Sequence, residues 1–295
     1  MDSRTKQAHV YMHLSILLWG ITGVLGSSIS LREGVLVWWR LLLVSISLGL
    51  QILLLKRSFK VTKTQFYKMT AVGVLLMVHW LFFYGAIKYS NVSITLSCFS
   101  TTSLFTALIE PVFGYKKLRV SEILFSLLGI VGIVFIFYDG SDYILGIALA
   151  LMAAFVGSFF NIFNKEIVLE LPPDIVSFYE MLTGFVGLTI LLPIYLHFFP
   201  DSVLLPSTND WALLAILAFV CTHVALTLSL AALKYLSAFT LNLAVNLEPI
   251  YGIALAFILL GENELLGINF YIGSCIVLLS VVAHAWYVSK YEALA

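Results

Sequence analysis

The chain of 295 residues is 61% hydrophobic and only 11% charged, and its 16 basic and 16 acidic side chains leave no net charge. A soluble domain of this length needs more charge than this on its surface, and a neutral chain offers no basic face to nucleic acid. The composition therefore excludes a soluble protein and a nucleic-acid partner, and it predicts a helical membrane protein whose surroundings are the lipid bilayer.

Apolar segments follow one another along the whole chain, and each approaches the ~20 residues that a helix needs to cross the hydrocarbon core. They lie at residues 10–30, 34–55, 67–87, 92–113, 121–138, 143–164, 175–197, 211–232, 238–260 and 266–288. Segments this long and this uniformly apolar favour helices over the alternating strands of a membrane barrel. The predicted fold is all-α, a polytopic membrane protein with ten transmembrane helices.

Basic residues are distributed unequally between the connections. With a cytoplasmic N-terminus, 13 of the 16 Lys and Arg residues face the cytoplasm, and Arg32, Arg40 and Lys88 lie toward the other side. Lys and Arg gather on the cytoplasmic side of membrane proteins, so both termini are predicted to be cytoplasmic and the protein to be multi-pass in the plasma membrane. A cleaved signal peptide is the alternative for the first segment, but no convincing A-x-A site follows it and its removal would spoil the charge asymmetry.

Two stretches end an apolar segment in the same way but with opposite charge. Ala86-Ile87-Lys88-Tyr89 leads to Gly114-Tyr115-Lys116-Lys117, and Ala232-Leu233-Lys234-Tyr235 leads to Gly261-Glu262-Asn263-Glu264. Because basic residues mark the cytoplasmic side, the two copies are expected to insert upside down relative to each other. The chain is therefore predicted to consist of two inverted five-helix repeats, at 1–140 and 141–295, a common plan of secondary transporters.

Several motifs occur in an order and at a spacing that are fairly specific together. They are Leu18-Trp19-Gly20, the Lys88-Tyr89 and Lys234-Tyr235 helix starts, Asn246-Leu247-Glu248-Pro249-Ile250-Tyr251-Gly252, and Gly261-Glu262. In these the chain resembles the drug/metabolite transporter superfamily, specifically its EamA-type proteins. The resemblance implies a ten-helix transporter of a small metabolite. The chain departs from the family at helix 4, where the usual proline near Thr102 is replaced by Glu110-Pro111 some residues later.

Ionisable side chains inside membrane helices are costly, and they usually pair or face a polar cavity. Glu248 and Glu110 are each followed by a proline, which frees a backbone carbonyl, so Glu110, Pro111, Glu248 and Pro249 are candidates for coupling and gating. A histidine titrates near ~6.5, which suits a proton-linked step at His79 or His223. Arg40, near the outer end of its segment, is expected to extend toward the interface.

Polar and aromatic residues near the middle of the segments are the candidates for a substrate cavity. They are Trp19, His79, Tyr84, Ser97, Thr101, Asn161, Tyr179, Glu180, His223, Asn242 and Asn246. The embedded carboxylates outnumber the single embedded arginine, so a cationic or zwitterionic small molecule, such as an amino acid, is favoured as the substrate.

Enzyme signatures are missing from the sequence. It contains no H-E-x-x-H, no G-x-S-x-G and no G-x-x-x-x-G-K-[ST], and Cys98, Cys221 and Cys275 lack metal-ligand spacing. The prediction is a secondary transporter by alternating access, with no catalytic residue, cofactor or metal. Two alternatives stay open: an intramembrane enzyme using Glu248 with His223 or His79, and a scaffold or sensor that moves no solute.

Overall fold

The computed structural model describes residues 3–113, 120–139, 143–236, 241, 244–245 and 247–291, and these residues form helices and turns without a strand. The helices are α1 (Ser3–Ser28), α2 (Glu33–Leu54), α3 (Lys63–Tyr89), α4 (Val92–Phe99), α5 (Thr102–Ile109), α6 (Val120–Asp139), α7 (Ile144–Glu170), α8 (Pro173–Phe198), α9 (Thr208–Ala215), α10 (Ala225–Leu233), α11 (Leu247–Leu260) and α12 (Ile268–Tyr291). A π-helical segment, Ile216–Val224, joins α9 to α10, and a 3-10 turn, Glu262–Glu264, precedes α12. The all-α prediction is confirmed.

Seven helical stretches of the described chain are long and apolar enough to cross a membrane by length and composition. They are Ser3–Ser28, Glu33–Leu54, Lys63–Tyr89, Val92–Ile109, Ile144–Glu170, Pro173–Phe198 and Thr208–Leu233, and shorter apolar helices occur at Ile123–Ile136, Leu247–Leu260 and Ile268–His284. Each stretch overlaps one of the apolar segments read from the sequence, in the same order. The multi-pass membrane protein is therefore confirmed, while the count of ten spans and the inverted repeat stay predictions.

Polar residues in the connections fix where two of the helices begin. The Thr62 hydroxyl accepts a hydrogen bond from the Gln65 amide at 3.2 Å, and the Gln65 side chain accepts one from the Thr62 amide at 2.9 Å. Ser207 and Asp210 form the same reciprocal pair at the start of α9. Such capping boxes satisfy amide groups that the first turn of a helix leaves without partners.

Two buried carboxylates join helix ends on one side of the bundle. Asp210 accepts hydrogen bonds from the amide and the hydroxyl of Ser30, at 2.7 and 2.6 Å, which connects α9 to the residues after α1. Glu262 accepts from the amides of Val92 and Ser93, at 2.9 and 2.8 Å, which connects the residues after α11 to the start of α4. A carboxylate is favourable at a helix N-terminus, so Glu262 stabilises α4 as well as the contact.

Ion pairs join helix ends on the opposite side. Arg57, after α2, lies 2.5 Å from the Asp174 carboxylate at the start of α8, and Lys68 on α3 lies 3.2 Å from Glu166 on α7. The ends that meet on each side are those that an up-and-down path of antiparallel helices brings together.

Three pairs of glycines lie at close crossings between helices. Gly20 meets Gly252 where α1 crosses α11, Gly73 meets Gly184 where α3 crosses α8, and Gly132 meets Gly273 where α6 crosses α12. A Cβ atom added to Gly73 would lie 2.3 Å from the Glu180 carbonyl oxygen, so a larger residue has no room there. Small residues allow backbones this close in a membrane bundle. Each pair joins a helix that precedes residue 140 to one that follows it, so the two parts of the chain pack directly on each other.

Candidate functional site

A cavity of about 100 Å³ lies halfway along the helices, with room for several water molecules or a small solute. Its lining residues are Trp19, Thr22, Arg40, Leu76, His79, Trp80, Phe83, Phe99, Thr102, Gly157, Phe160, Thr222, Leu226, Val245 and Glu248. They come from both parts of the chain. The lining is mostly apolar and aromatic with a few polar groups, which is typical of binding sites for small molecules.

Arg40 is the cation of this cavity, and it is 3% exposed. Its Nε donates a hydrogen bond to the Thr222 hydroxyl and its Nη1 donates one to the Tyr84 hydroxyl, both at 2.7 Å. The guanidinium carbon lies 3.7 Å from the centroid of the Trp80 ring, which is a cation–π contact. The expectation that Arg40 extends to the interface is wrong, because these partners hold its guanidinium inside the bundle.

Tyr84 reaches Arg40 because a glycine leaves space for its ring. The side chain is fully buried, and a Cβ atom added to Gly26 on α1 would lie 2.2 Å from the ring. Tyr84 does not line the cavity itself; it orients the arginine that does.

Thr222 belongs to the π-helical segment, and its hydroxyl makes two hydrogen bonds at once. It donates to the carbonyl of Leu217, five residues earlier, at 2.6 Å and accepts from Arg40. Single turns of π-helix often occur at functional sites. Here the π-helical segment places the Thr222 hydroxyl where it can accept a hydrogen bond from Arg40 of α2.

Glu248 supplies the carboxyl group of the cavity, and it is 6% exposed. The crossing of α1 and α11 positions it, because an added Cβ on Gly20 would lie 2.9 Å from Tyr251 and 3.5 Å from the Glu248 carbonyl oxygen. Glu248 and Pro249 lie in the first turn of α11, and Ala244 and Val245 are helical as well. No ion pair within 4 Å joins Glu248 to Arg40 among the described residues, although the Arg40 charge acts electrostatically on the Glu248 carboxyl.

His79 and Trp19, both expected at the site, are in the cavity wall. The His79 Nδ1 donates a hydrogen bond to the Ala153 carbonyl at 2.9 Å, and the imidazole packs against the rings of Phe83 and Phe99, with centroids 6.0 and 5.4 Å away. Since Nδ1 is the donor, a neutral His79 keeps Nε2 as an acceptor.

His223 lies in the π-helical segment but does not line the cavity. Its Nδ1 lies 2.7 Å from the Ser47 hydroxyl and its Nε2 lies 2.5 Å from the Gln51 side-chain oxygen. Both nitrogens therefore connect the segment to α2. The arrangement gives His223 a packing role.

Two further candidates on α8 also lie outside the cavity lining. The Tyr179 hydroxyl donates to the Phe59 carbonyl at 2.6 Å. Glu180 is fully buried beside Asn164 of α7, and its backbone packs on Gly73.

Some hydroxyl groups near the junction of α4 and α5 form hydrogen bonds within the bundle, and another lines the cavity. Ser97 lies 2.9 Å from the Ser274 hydroxyl of α12, and Thr101 donates to the Cys98 carbonyl at 2.6 Å. Neither lines the cavity, whereas Thr102 does.

Glu110 and Pro111 follow the last residue of α5 and are half-buried. The proline therefore coincides with a helix end rather than with a bend inside a helix. Asn242, Asn246 and the side chain of Asn161 lie outside the described residues.

Arg40, Thr22, Thr102, Phe160 and Thr222 are functional candidates that the sequence interpretation did not place in the cavity. Arg40 carried a usable signal, since it is a lone cation in a long apolar segment. The others are common residue types in such helices, and only the packing distinguishes them.

The model of the EamA-like transporter family matches residues 6–138 and 144–285. The chain belongs to the EamA-like transporter family. One relative of this chain, the "Uncharacterized transporter YxxF" of Bacillus subtilis (strain 168), is 26% identical to it over 272 residues, which cover 88% of this chain and 85% of the relative. An "Uncharacterized transporter" of Clostridium kluyveri is 22% identical over 293 residues, covering 92% of this chain and 93% of the relative.

The fold of this EamA-like protein also matches an experimentally determined chain with a TM-score of 0.67. The two share 14% sequence identity, and the match covers 98% of each chain. The EamA resemblance read from the motifs is thus confirmed, and the protein is a membrane protein of a transporter family.

Proposed function

We propose that this EamA-like protein is a secondary transporter of a small zwitterionic metabolite of the amino-acid type. The observation that carries the proposal is the pair of opposite charges in the cavity lining, Arg40 and Glu248, which form no ion pair with each other among the described residues. Charges taken out of water need compensation, and a solute with a carboxylate and an ammonium group supplies both. The solute's carboxylate binds the guanidinium and its ammonium group binds Glu248.

The orientation of Arg40 suits this role. Thr222 accepts from its Nε, Tyr84 accepts from its Nη1, and the Trp80 ring covers one face of its plane. The guanidinium retains further N–H donors, and arginine is the side chain best shaped to hold a carboxylate.

The rest of the lining favours an apolar side chain on the solute. Trp19, Phe83, Phe99 and Phe160 contribute aromatic surface to the cavity. Burial of apolar surface contributes roughly 25 cal/mol per Å², so these walls distinguish among zwitterions by the size of their side chains.

Alternating access is the proposed mode of transport, with 1–140 and 141–295 as the moving halves. It is supported by the composition of the lining, since Trp19, Arg40 and His79 precede residue 140 while Phe160 and Glu248 follow it. A solute bound between two halves is released to either side when their contact changes.

Coupling to protons is part of the same proposal. Glu248 and Glu180 are buried carboxyl groups within helices, where an ionised form without compensation is costly. A carboxyl that gains and loses a proton during the cycle ties solute movement to the proton gradient.

Exchange of radiolabelled amino acids in proteoliposomes tests the proposal. A thermal-shift screen against the natural amino acids identifies the solute, and counterflow then measures its exchange. We expect Arg40→Gln and Glu248→Gln to abolish exchange and Glu170→Gln, an exposed carboxyl at the end of α7, to leave it unchanged. Exchange no faster than in empty liposomes, or exchange unaffected by both cavity variants, contradicts the proposal.

A further inference from the structure

A second buried polar cluster lies where α8 packs against α7, outside the central cavity. Glu180 and Asn164 are fully buried, and both carboxyl oxygens of Glu180 and both polar atoms of the Asn164 amide lack a hydrogen-bond partner among the described residues. The Asn164 side chain is the neighbour that acts on the Glu180 carboxyl. The hydroxyl of Ser177, one turn before Glu180, is buried and without a partner as well. Polar groups buried in this way are rare in folded proteins and usually have a task.

Close packing of α3 on α8 separates this cluster from water. A Cβ atom added to Gly73 would lie 2.3 Å from the Glu180 carbonyl oxygen and 2.3 Å from the Thr183 hydroxyl. One added to Gly184 would lie 2.9 Å from the Gly73 carbonyl oxygen. The helices therefore touch along their backbones beside Glu180.

No charged side chain of the described residues acts on Glu180. The helices packed on α8 are α2, α3, α7 and α10, and α10 contains no titratable residue. Several titratable groups at this end of the bundle have other partners: Arg57 with Asp174, Lys68 with Glu166, Lys165 with the Leu233 and Leu236 carbonyls, and Tyr179 with the Phe59 carbonyl. Farther along α2 and α3, Arg40 is held by Tyr84 and Thr222, and His79 by Ala153.

The chemistry of the pair favours a bound proton. An ionised carboxylate in this place would have no cation to compensate it, and the Asn164 amide is the neighbouring donor that acts on it. A carboxylic acid resolves the conflict, because its O–H donates to the Asn164 oxygen and its carbonyl accepts from the Asn164 amide nitrogen. A metal ion is disfavoured, since the described residues contain no group of three or more His, Cys, Asp or Glu side chains that could hold one.

We propose that Glu180 and Asn164 form the proton-binding site that couples this protein to a proton gradient. This inference rests on the proposed transport function. In the present conformation the site holds one proton and is sealed. When α8 separates from α7, water reaches the carboxyl, which releases the proton and becomes ionised. Glu180 must take up another proton before the helices close again, because the ionised form is not compensated in the closed site.

Infrared spectroscopy tests for the proton without any need for transport. Purified wild-type protein in nanodiscs at neutral pH should show the carbonyl stretch of a protonated carboxylic acid, which Glu180→Gln removes from the difference spectrum. Glu170→Gln, which changes an exposed carboxyl on α7, serves as the matched control and should remove no such band. An identical protonated-acid band in wild type and Glu180→Gln overturns the proposal, whatever the protein transports.

Proteoliposome flux then tests the coupling. Wild type should exchange solute at equal pH and accumulate it faster under a pH gradient. Glu180→Gln, whose amide can still pair with Asn164, should retain exchange and lose the acceleration. Acceleration that persists in Glu180→Gln, or a requirement for a sodium gradient instead, overturns the coupling site. A wild-type protein that exchanges no solute refutes the transport function, and the infrared result still decides whether Glu180 holds a proton.

Discussion

Arg40 is one cation in an apolar helix, and three side chains from other elements determine what it can do. The Tyr84 and Thr222 hydroxyls accept from its nitrogens, and the Trp80 ring covers one face. The planar fork of arginine satisfies all three contacts at once. Lysine has the same charge but a different shape, so the substitution Arg40→Lys separates the effect of charge from that of geometry.

Arg40→Lys is expected to raise the KM for exchange by about ten-fold or more, because it loses a charge-assisted hydrogen bond of about 1.5–3 kcal/mol. The positive charge stays in the cavity, so some exchange should persist, in contrast to Arg40→Gln. Concentration-dependent counterflow measures the difference. A KM equal to that of wild type would show that the fork geometry is not used.

Thr222 offers a more conservative test of the same contact. Thr222→Val keeps the shape of the side chain but leaves the Arg40 Nε without its acceptor, which costs about 1–3 kcal/mol. Thr222→Ser keeps the hydroxyl and is the matched control. We expect a weaker apparent affinity for Val and an affinity near wild type for Ser; equal affinities in the two variants would contradict the role given to the hydroxyl.

At the scale of elements, close crossings decide which helices can pack together. Gly132 of α6 and Gly273 of α12 meet at a crossing where neither residue lines the cavity. A Cβ atom added to Gly273 would lie 2.5 Å from the Gly132 carbonyl oxygen and 2.8 Å from the Ile136 amide. Both neighbours are backbone atoms, so a clash there cannot be relieved by rotating a side chain.

Gly273→Ala is therefore expected to destabilise the protein by about 1–3 kcal/mol, the usual cost of overpacking. Gly187→Ala is the control, since its added Cβ would meet the Met77 sulfur at an ordinary 3.5 Å and alanine favours a helix over glycine. Thermal unfolding in detergent should show a lower midpoint for Gly273→Ala and an unchanged or higher one for Gly187→Ala. The reverse order would mean that this crossing is looser than described.

For the whole molecule, apolar length and composition were enough to predict the class of fold. Every apolar segment corresponds to an apolar helical stretch, because a backbone in lipid must satisfy its own hydrogen bonds. The motif residues Gly20, Gly252 and Glu262 could be recognised in the sequence, but their structural roles could not be predicted from it. Gly20 and Gly252 allow a crossing, and Glu262 binds the amides of α4, contacts between residues about 170 to 230 positions apart in the chain.

The site was harder to predict for the same reason. Trp19 and His79 were expected in the cavity and line it, and Glu248, expected to serve coupling and gating, lines it too. Arg40 was expected outside, because a single helix does not reveal that Thr222 and Tyr84 from two other elements will reach it. Ser97 and His223 have the same polar character as cavity residues, yet their partners on α12 and α2 account for them.

The orientation of the bundle in the membrane gives the last prediction. The ten predicted spans place 13 of the 16 Lys and Arg residues on one side, which should be the cytoplasm. Ser3 and Ser58 are exposed on that side, and Asp201 is exposed in the connection between α8 and α9 on the other. In a background with Cys98, Cys221 and Cys275 replaced by alanine, a cysteine at each position reports which side it faces.

A membrane-impermeant maleimide applied to intact cells should label Asp201→Cys and should leave Ser3→Cys and Ser58→Cys unlabelled until the cells are permeabilised. The charge asymmetry requires this result, because the connection from 56 to 63 carries four Lys and Arg residues while that from 199 to 207 carries none. Labelling of Ser58→Cys from outside would show that the bundle has the opposite orientation in the membrane. Labelling of Ser58→Cys and Asp201→Cys from the same side would break the up-and-down path of helices on which the central cavity depends.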